Sequence, residues 1–351
     1  MMNPESLTKV LCIGGGTGLA CLLKGLKSAV LDPPVIEAPE RQPWISRLTA
    51  VVTVADDGGS SGRLREELQI LPPGDIRNCM VALSADESLL SRLFQYRFAG
   101  SGQLQGHSFG NLFLSALTGV TGDFLEAVRV SSDVLATKGK IYPATAEDIH
   151  LEAVLDDGTR IFGESAISKS RRRIDRVELS SPKCRPTAEV LEAIRAADII
   201  TVGPGSLFTS LVPNLLVRGI ARAIRKSKAP RIYIGNLMTQ PGETSGFSAA
   251  DHVAAIYRHV GPGLFDVIIL NSGPIPRAEL ARYRLMGAAP VVSDHGRLRD
   301  LGLQIYERRM LARGKVVRHD PLRLAAAVHD VHSRWRIDGE GLSIRPISAS
   351  L

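Results

Sequence analysis

The amino-acid sequence predicts an α/β fold, a Rossmann-like, doubly wound and mainly parallel sheet with a small β insertion. Six short apolar runs each end in a cluster of Gly, Asp, Asn or Ser, and amphipathic segments with helical spacing lie between many of them. This alternation of strand and helix is typical of a parallel sheet that is covered on both faces. Ligands of such sheets bind beyond the carboxyl ends of the strands, where the strand order reverses.

The predicted strands and helices follow in order along the chain. The six predicted strands are KVLCIGGG, LTAVVTVADDGG, ADIITVGPGS, RIYIGNLMT, FDVIILNSG and APVVSDHG, and KVVRHD is predicted as a further late strand. Helical spacing marks LACLLKGLK, LVPNLLVRGIARAIRKS and AADHVAAIYRHV. Residues 109–136 are also predicted to be helical, apart from a break between Gly119 and Gly122.

Two regions interrupt the alternation of strand and helix. Residues 28–47 are rich in proline and predict a surface loop inserted before the second strand. Residues 138–182 contain two extended runs around an Asp-Gly turn, which predicts a small antiparallel β insertion. We therefore expect a single domain over residues 1–335 that carries both insertions, followed by a C-terminal tail at 336–351.

Composition argues against several classes of function. The chain of 351 residues has a net charge of +7, but its basic residues are scattered and only 5% of it is aromatic. Solvated helix faces, or secondly a basic pocket for an anionic ligand, explain this charge better than nucleic-acid binding. No apolar run is long enough to span a membrane and no secretion signal is recognisable, so we expect a cytoplasmic protein. The four cysteines lack metal-site spacing and are expected to be buried, reduced thiols.

The stretch VLCIGGGTGLACLLKGL predicts a strand, a glycine-rich turn and a helix. Glycine allows a ligand to approach the backbone closely, and the amides that open the helix can hold a phosphate. The spacing departs from G-x-G-x-x-G because Leu19 replaces the third glycine, and no Gly-Lys-Ser/Thr follows. A tight structural turn is the alternative. The candidate ligand residues here are Gly14, Gly15, Gly16, Thr17 and Gly18.

The stretch ADDGGSSG places two adjacent carboxylates beside flexible amides and hydroxyls. Asp56 and Asp57 end the second predicted strand, a position that binds ribose hydroxyls in dinucleotide-binding folds. Gly58, Ser60 and Ser61 follow in a loop whose amides can hold a diphosphate. One sugar or nucleoside diphosphate would use both features, and Mg²⁺ bridging carboxylate and phosphate would relieve their repulsion. The two aspartates are therefore also the candidate metal ligands, and capping of a turn is the alternative role.

Four later segments supply the remaining polar candidates. PPGDIRNC predicts Asp75 as a helix N-cap, and GHSFGNL begins a helix with His107 as a candidate base. No nucleophile motif of a hydrolase occurs, so no catalytic residue is assigned. The other two segments, ITVGPGSLFTSLVPNLL and GNLMTQPGETSG, follow strands with neutral amides and hydroxyls, and this hydroxyl-rich rim favours recognition of sugar and base edges. The further candidate ligand residues are Asn78, His107, Asn111, Gly203, Gly205, Ser206, Asn214, Asn236 and Thr239.

These motifs resemble, in the same order, those of the YvcK-type gluconeogenesis factor family, the regulatory branch of the CofD-like superfamily of 2-phospho-L-lactate transferases. The resemblance covers roughly residues 9–330 and is carried by GGGTGLACLLKGLK, VVTVADDGGSSGRLREE, PPGDIRNC, GHSFGNL, GPGSLFTSLVPNLL and NLMTQPGETSGFSAADHV. It implies a Rossmann-like fold and a cytoplasmic regulator of cell shape and envelope precursor supply during gluconeogenic growth. It also implies binding of UDP-N-acetylglucosamine or UDP-glucose, a protein partner in peptidoglycan precursor synthesis, and no firmly assigned reaction.

The resemblance implies two more ligand residues, Tyr283 in ELARYRLMGA and Arg318 in VVRHD. A tyrosine ring can stack on uracil, and a guanidinium can pair with phosphate. The predicted late strands APVVSD and KVVRHD would bring this part of the chain to the ligand edge of the sheet. Pro321 follows RHD where the family can carry a hydroxyl residue, which argues against a phosphorylation switch at that position.

Two other functions are compatible with parts of the sequence. The main alternative to a nucleotide-sugar-binding regulator is a magnesium-dependent transferase of the 2-phospho-L-lactate transferase type, which would need a large apolar cleft for its acceptor. An NAD-binding dehydrogenase is disfavoured by the broken glycine spacing. Mg²⁺ bound with the diphosphate is the one cofactor that the motifs suggest. No nucleic-acid partner or membrane span is expected, and a homo-oligomer is compatible with this interpretation.

Overall fold

The computed structural model describes residues 7–31, 43–85 and 89–338. Within these residues the chain forms ten named strands in two sheets. The strands are β1 (Thr8–Gly14), β2 (Ile45–Val52), β3 (Lys140–Pro143), β4 (Leu151–Leu155), β5 (Arg160–Phe162), β6 (Ile174–Leu179), β7 (Ile199–Val202), β8 (Arg231–Ile234), β9 (Val267–Asn271) and β10 (Gln304–Arg308).

Helices connect these strands and cover the larger sheet. They are α1 (Gly16–Leu26), α2 (Gly59–Leu68), α3 (Gly74–Leu83), α4 (Leu89–Gln95), α5 (Phe109–Thr121), α6 (Phe124–Val134), α7 (Glu164–Lys169), α8 (Ala188–Ala196), α9 (Val212–Leu216), α10 (Ile220–Lys226), α11 (Ala249–Val260), α12 (Arg277–Leu285), α13 (His295–Asp300) and α14 (Pro321–Asp338). A 3₁₀ turn spans Lys27–Ala29, and a π-helical turn spans Leu207–Leu211.

The larger sheet confirms the predicted fold class. Its seven strands run in the order β10-β9-β8-β7-β1-β2-β3, and every pairing within it is parallel. Strand β7 is buried at every position, as expected for a parallel strand covered on both faces. Strand order extends outward from β1 in one direction and from β7 in the other. The reversal that favours ligand binding therefore lies between the carboxyl ends of β1 and β7.

The smaller sheet confirms the predicted antiparallel insertion. Its three strands run in the order β5-β4-β6, and Gly158 in the turn between β4 and β5 has φ +83. The insertion begins later than predicted, since β3 already belongs to the larger sheet. The predicted loop at 28–47 falls largely outside the described residues, and Ile45–Arg47 form the start of β2. Helix α14 continues through Asp338, past the predicted start of the tail, and 339–351 lie outside the described residues.

Two predicted late strands are wrong. APVVSDHG contributes a single bridge from Pro290 to Met238, and Pro290 has no amide hydrogen to continue a ladder. KVVRHD likewise contributes only the bridge between His319 and Leu311. The last strand is instead β10, a charged edge strand whose polar residues masked its pattern.

One predicted helix is also divided. The segment from 207 to 227 contains the π-helical turn, α9 and α10, with a break at Gly219, whose φ is +102. Within the described part of the chain, no single helix is long and apolar enough to cross a membrane. One bent pair, Leu207–Leu216 with Ile220–Lys226, meets that requirement by length and composition only, with an angle of 78° between its halves.

Candidate functional site

Two glycine turns touch at the point where the strand order reverses. The first follows β1 and the second follows β7, and the Gly203 amide donates to the Ile13 carbonyl at 2.9 Å. A Cβ atom on Gly18 would lie 2.3 Å from the Pro204 carbonyl oxygen. Only glycine permits this backbone contact, so the two turns that the sequence singled out form one surface.

Two predicted ligand residues lie behind this surface. Asn214 is fully buried, and its Nδ2 donates to the Gly14 carbonyl at 2.9 Å and to the Ser210 carbonyl at 2.7 Å. The Thr239 hydroxyl accepts from the Ala289 amide at 2.9 Å. Both side chains therefore bind the protein's own backbone, and in this arrangement Asn214 positions the first turn from below.

Asp75 lies in the first turn of α3, and its carboxylate contacts the first glycine turn instead of capping the helix as predicted. Helix α3 begins at Gly74 with Pro73 as its N-cap, and no side chain caps it. The Asp75 carboxylate instead accepts a hydrogen bond from the Gly16 amide. A Cβ atom on Gly15 would lie 2.6 Å from Asp75 Oδ2. The sequence alone indicated a local cap because this partner lies far away along the chain.

The charge state of Asp75 is set by its surroundings. Burial, together with the negative charges of Asp56 and Glu164, raises the pKa of the Asp75 carboxyl to about 7. Glu164 comes from α7 in the β insertion, and burial and Asp56 raise its pKa as well. Carboxylates from three separate segments therefore face one another at the first turn. The sequence reasoning missed Glu164, because no local motif marks it.

One carboxylate oxygen of Asp56 and one of Asp57 accept a hydrogen bond from a backbone amide. Asp56 Oδ1 accepts a hydrogen bond from the Gly58 amide at 2.9 Å. Burial, followed by the charge of Asp57, raises the pKa of the Asp56 carboxyl. The bonds from Gly58 and Ser61 lower this pKa but do not cancel the rise. Asp57 Oδ1 accepts from the Ser165 amide at 2.8 Å, which joins the loop to α7. Each aspartate therefore binds a backbone amide, and the Asp56 carboxylate is bonded to the Ser61 hydroxyl as well.

The second glycine turn also holds an internal carboxylate. Glu243 is buried and accepts from the Phe208 amide and the Thr209 hydroxyl, both at 3.3 Å, and from the Ser168 hydroxyl at 3.4 Å. Burial raises the pKa of its carboxyl to about 7. The first glycine turn, the Gly58 loop and the π-helical turn that follows the second glycine turn thus each contact one of the chain's own carboxylates.

His107, Ser60 and Asn111 form a buried polar cluster above α2. His107 Nδ1 lies 3.0 Å from the Ser60 hydroxyl, which also accepts from Asn111 Nδ2 at 3.1 Å. Burial, followed by the charge of Arg63, lowers the pKa of the His107 ring. The neutral His107 ring is hydrogen-bonded to the Ser60 hydroxyl and orients it. This positioning role differs from the predicted role of His107 as a base.

The rim of the second turn keeps polar groups that are open to solvent. Asn236 Nδ2 donates to the Gly205 carbonyl at 3.0 Å, and the Ser206 hydroxyl accepts from Gln240 at 2.8 Å. Both Asn236 and Ser206 are half-buried, whereas Thr17 on the first turn is exposed. These residues lie where a ligand can reach them.

The rim of α3 is formed by a hydrogen-bonded pair. Asn78 Oδ1 accepts from Arg77 Nη2 at 2.6 Å. Burial, followed by the charge of Arg97, lowers the pKa of Arg77 to about 10. Arg77 therefore provides a buried positive charge close to the carboxylates of the first turn.

The structure brings Tyr283 and the segment around Arg318 together without the predicted strands. The Tyr283 hydroxyl accepts from the Val317 amide at 3.1 Å. The Cys21 thiol of α1 donates to the His319 carbonyl at 3.2 Å, so this segment lies against the helix that starts at the first turn. Val317 also lines a 340 Å³ cavity. The segment around Arg318 therefore lies against α1 at Cys21, about 7 Å along the helix from its start at the turn, and Tyr283 reaches it through Val317.

No preformed metal cage accompanies these carboxylates. In the ranges 7–31, 43–85 and 89–338, no group of three or more His, Cys, Asp and Glu side chains is arranged to hold a metal ion. Asp56 and Asp57 as metal ligands therefore stay a prediction. Oxygen atoms of a bound phosphate would have to supply further ligands.

Asp75→Asn is expected to stabilise the protein at pH 8 by on the order of 2 kcal/mol and to have little effect at pH 4. The folded carboxyl has a pKa of about 7, above its ordinary value of 3.8. Between pH 3.8 and pH 7 the folded chain therefore holds a proton on Asp75 that the unfolded chain has released. The stability that this proton contributes is lost as pH rises through 7. Urea unfolding at both pH values measures the effect, with the exposed Asp300→Asn as control. A gain that is equal at pH 4 and pH 8 would contradict the assignment.

Comparison with known proteins shows which family this chain resembles. The family described as 2-phospho-L-lactate transferase CofD matches residues 10–311. The Gluconeogenesis factor of Bacillus subtilis (strain 168) is 45% identical over 324 residues, which cover 92% of this chain and 98% of that protein. The Gluconeogenesis factor of Halalkalibacterium halodurans is 46% identical over 320 residues, covering 91% and 95%. A crystal structure of a UPF0052 family member from Bacillus halodurans has a TM-score of 0.85 and 46% identity, and covers 92% of this chain and 99% of that one.

Proposed function

Since this chain belongs to the family of 2-phospho-L-lactate transferase CofD, and its predicted likeness to gluconeogenesis factors is confirmed, we propose that it is a UDP-sugar-binding regulator. UDP-N-acetylglucosamine and UDP-glucose are the proposed ligands. In this proposal the bound state of the protein reports nucleotide-sugar supply to a partner in peptidoglycan precursor synthesis, which links carbon flux to cell shape. In this proposal the protein acts in the cytoplasm.

One observation supports this ligand class above others. At the reversal of strand order, two glycine turns in backbone contact carry both hydrogen-bond donors and carboxylates. Amides suit a diphosphate, and carboxylates suit the hydroxyls of a sugar or ribose. A ligand with phosphates at its centre and hydroxyls at both ends satisfies this mixture, whereas inorganic phosphate alone would leave the carboxylates without a hydroxyl to bind.

The internal carboxylates indicate how the diphosphate is accommodated. A phosphate approaching Gly16 meets Asp75, and one approaching Gly58 meets Asp56. Mg²⁺ entering with the diphosphate would offset this repulsion, with Asp56 and Asp57 as the proposed ligands. Protonation of Asp75 would offset it as well, because the pKa of this carboxyl is about 7.

A titration panel tests the proposal. UDP-N-acetylglucosamine, UDP-glucose, GDP and NAD are titrated calorimetrically into the full chain, with and without Mg²⁺. We expect both UDP-sugars to bind, tighter with Mg²⁺, and NAD to bind weakly or not at all. Absence of heat for both UDP-sugars under every condition, in protein shown to be folded, would refute the proposed ligand class.

A transferase remains the second candidate, favoured by one feature of the site. A carboxyl with a pKa of about 7 beside the first glycine turn, Asp75, is suited to accept a proton from an acceptor hydroxyl. Transfer of a phosphoryl-linked group from a nucleoside diphosphate carrier would release the nucleoside monophosphate. Phosphorus NMR of UDP-sugar incubated with protein and Mg²⁺ would detect this release, and an unchanged spectrum would favour the regulator.

A further inference from the structure

A strongly basic pocket lies beside the loop that follows β8, and none of its arginines is among the residues proposed to bind the UDP-sugar. The cavity has a volume of 390 Å³. Three of its arginines follow α7, and the others belong to α11 and α13. They are Arg171, Arg172, Arg173, Arg258 and Arg297.

Two of these arginines are neutralised and three are not. Arg172 pairs with Asp157 at 2.5 Å, and Arg297 pairs with Asp251 at 2.7 Å. The other three guanidinium groups form no ion pair with any residue in the described part of the chain. Like charges gathered in a concave surface raise the local concentration of anions. The pocket therefore has unused capacity for negative charge.

The floor and one wall of the pocket are rigid. Gly242 has φ +85, and a Cβ atom there would lie 1.8 Å from the Ser170 carbonyl oxygen, so the two loops are in backbone contact. Phe247 is buried and packs edge-on against Phe208 with the ring centroids 6.3 Å apart. The shape that brings the arginine-bearing segments together is thus fixed by packing, before any ligand binds.

The buried acid of the wall does not face the cavity as an unpaired charge. Glu243 contributes to the lining, but its carboxylate is bonded to the Phe208 amide and the Thr209 hydroxyl of the second turn. Asp251, the other acid of the described lining, is paired with Arg297. Positive charge therefore dominates the lining.

We propose that this basic pocket is a second anion site, which binds a small molecule carrying one or more phosphate groups. Guanidinium groups present paired donors that match phosphate oxygens. The volume suits a small molecule, since ligand pockets typically measure about 300–1,000 Å³. A nucleic-acid strand matches this pocket less well, because proteins bind single strands largely through exposed aromatic rings. Among the described lining residues the aromatic ring is that of Phe247, and it is buried.

Calorimetric titration of inorganic pyrophosphate into the full chain at low salt tests the proposal. The double substitution Arg171→Ala with Arg258→Ala removes two of the unpaired charges. The matched control, Arg195→Ala with Arg222→Ala, removes two exposed arginines from α8 and α10. We expect at least tenfold weaker pyrophosphate binding in the pocket variant and less than twofold change in the control. All four side chains are exposed, so both variants should unfold thermally like the parent.

Three outcomes would overturn the second site. If pyrophosphate binds the parent and both variants equally, its binding site lies outside this pocket. If it does not bind the parent, the chain has no such site. A 20-nucleotide single strand that binds the parent but not the pocket variant, with no pyrophosphate binding, would indicate a nucleic-acid surface instead. UDP-N-acetylglucosamine titrated into the same variants separates this proposal from the UDP-sugar site, because its affinity should be unchanged in both.

Discussion

Gly18→Ala is expected to weaken UDP-sugar binding at least tenfold, about 1.4 kcal/mol, and to destabilise the fold by about 1–3 kcal/mol. The new methyl group would lie 2.3 Å from the Pro204 carbonyl oxygen, and the opposing atoms are backbone that no rotamer change can move. The two glycine turns must then separate. Calorimetry with UDP-N-acetylglucosamine measures the first effect, and urea unfolding measures the second.

Gly119→Ala provides the matched control for this substitution. Gly119 lies in α5, and a methyl group added there would have no described heavy atom outside its own helix turn within 4 Å, so the change should be neutral or slightly stabilising. If Gly18→Ala binds UDP-sugar and unfolds as the control does, contact between the turns is not needed for the site. If it is destabilised but binds normally, the turn has a structural role only.

The sequence predicted the central part of the fold well because buried parallel strands have an unmistakable pattern. Strands β7 and β9 are short apolar runs that end in polar clusters, and both were predicted. The edge strands β3 and β10 were not, since an edge strand pairs on one side only and tolerates charge. The segment APVVSD has the pattern of a strand but does not join the sheet. It lies instead beside the loop after β8, where Pro290 forms one bridge with Met238, and the sequence pattern does not reveal this position.

The candidate site was predictable only in its local parts. Glycine turns, and the aspartates beside them, are visible as motifs, and the structure brings them together at one edge. The partners of these motifs come from distant segments, as in the contacts of Asp75 with Gly16 and of Glu243 with Phe208. Such contacts depend on the tertiary arrangement, so a sequence pattern could only interpret Asp75 by its nearest helix.

Arg318→Lys is expected to weaken UDP-sugar binding by about 1–3 kcal/mol, although it conserves charge. Arg318 is exposed and forms no ion pair with any described residue, so its guanidinium is free to bind a phosphate with two aligned donors. Lysine offers a single ammonium group. Arg222→Lys, an exposed change on α10, is the control for a general effect of the substitution. Equal affinity of Arg318→Lys and the parent would exclude a bidentate contact.

Tyr283 should act partly through the same segment. Its hydroxyl accepts from the Val317 amide at 3.1 Å, next to Arg318, so Tyr283→Phe removes a bond that positions the guanidinium. We expect Tyr283→Phe to weaken UDP-sugar binding by about 0.5–1.5 kcal/mol, and Tyr283→Ala to weaken it further through loss of the ring. A simple stacking role would leave the Phe variant unchanged.

A double-mutant cycle distinguishes these two roles of Tyr283. If the tyrosine positions Arg318, the double variant Tyr283→Phe with Arg318→Lys should lose less affinity than the sum of the single losses, because the bond no longer has a guanidinium to position. Additive losses would mean that the two side chains contact the ligand independently. In both cases the segment that carries Arg318 is held against α1, because the His319 carbonyl accepts a hydrogen bond from the Cys21 thiol.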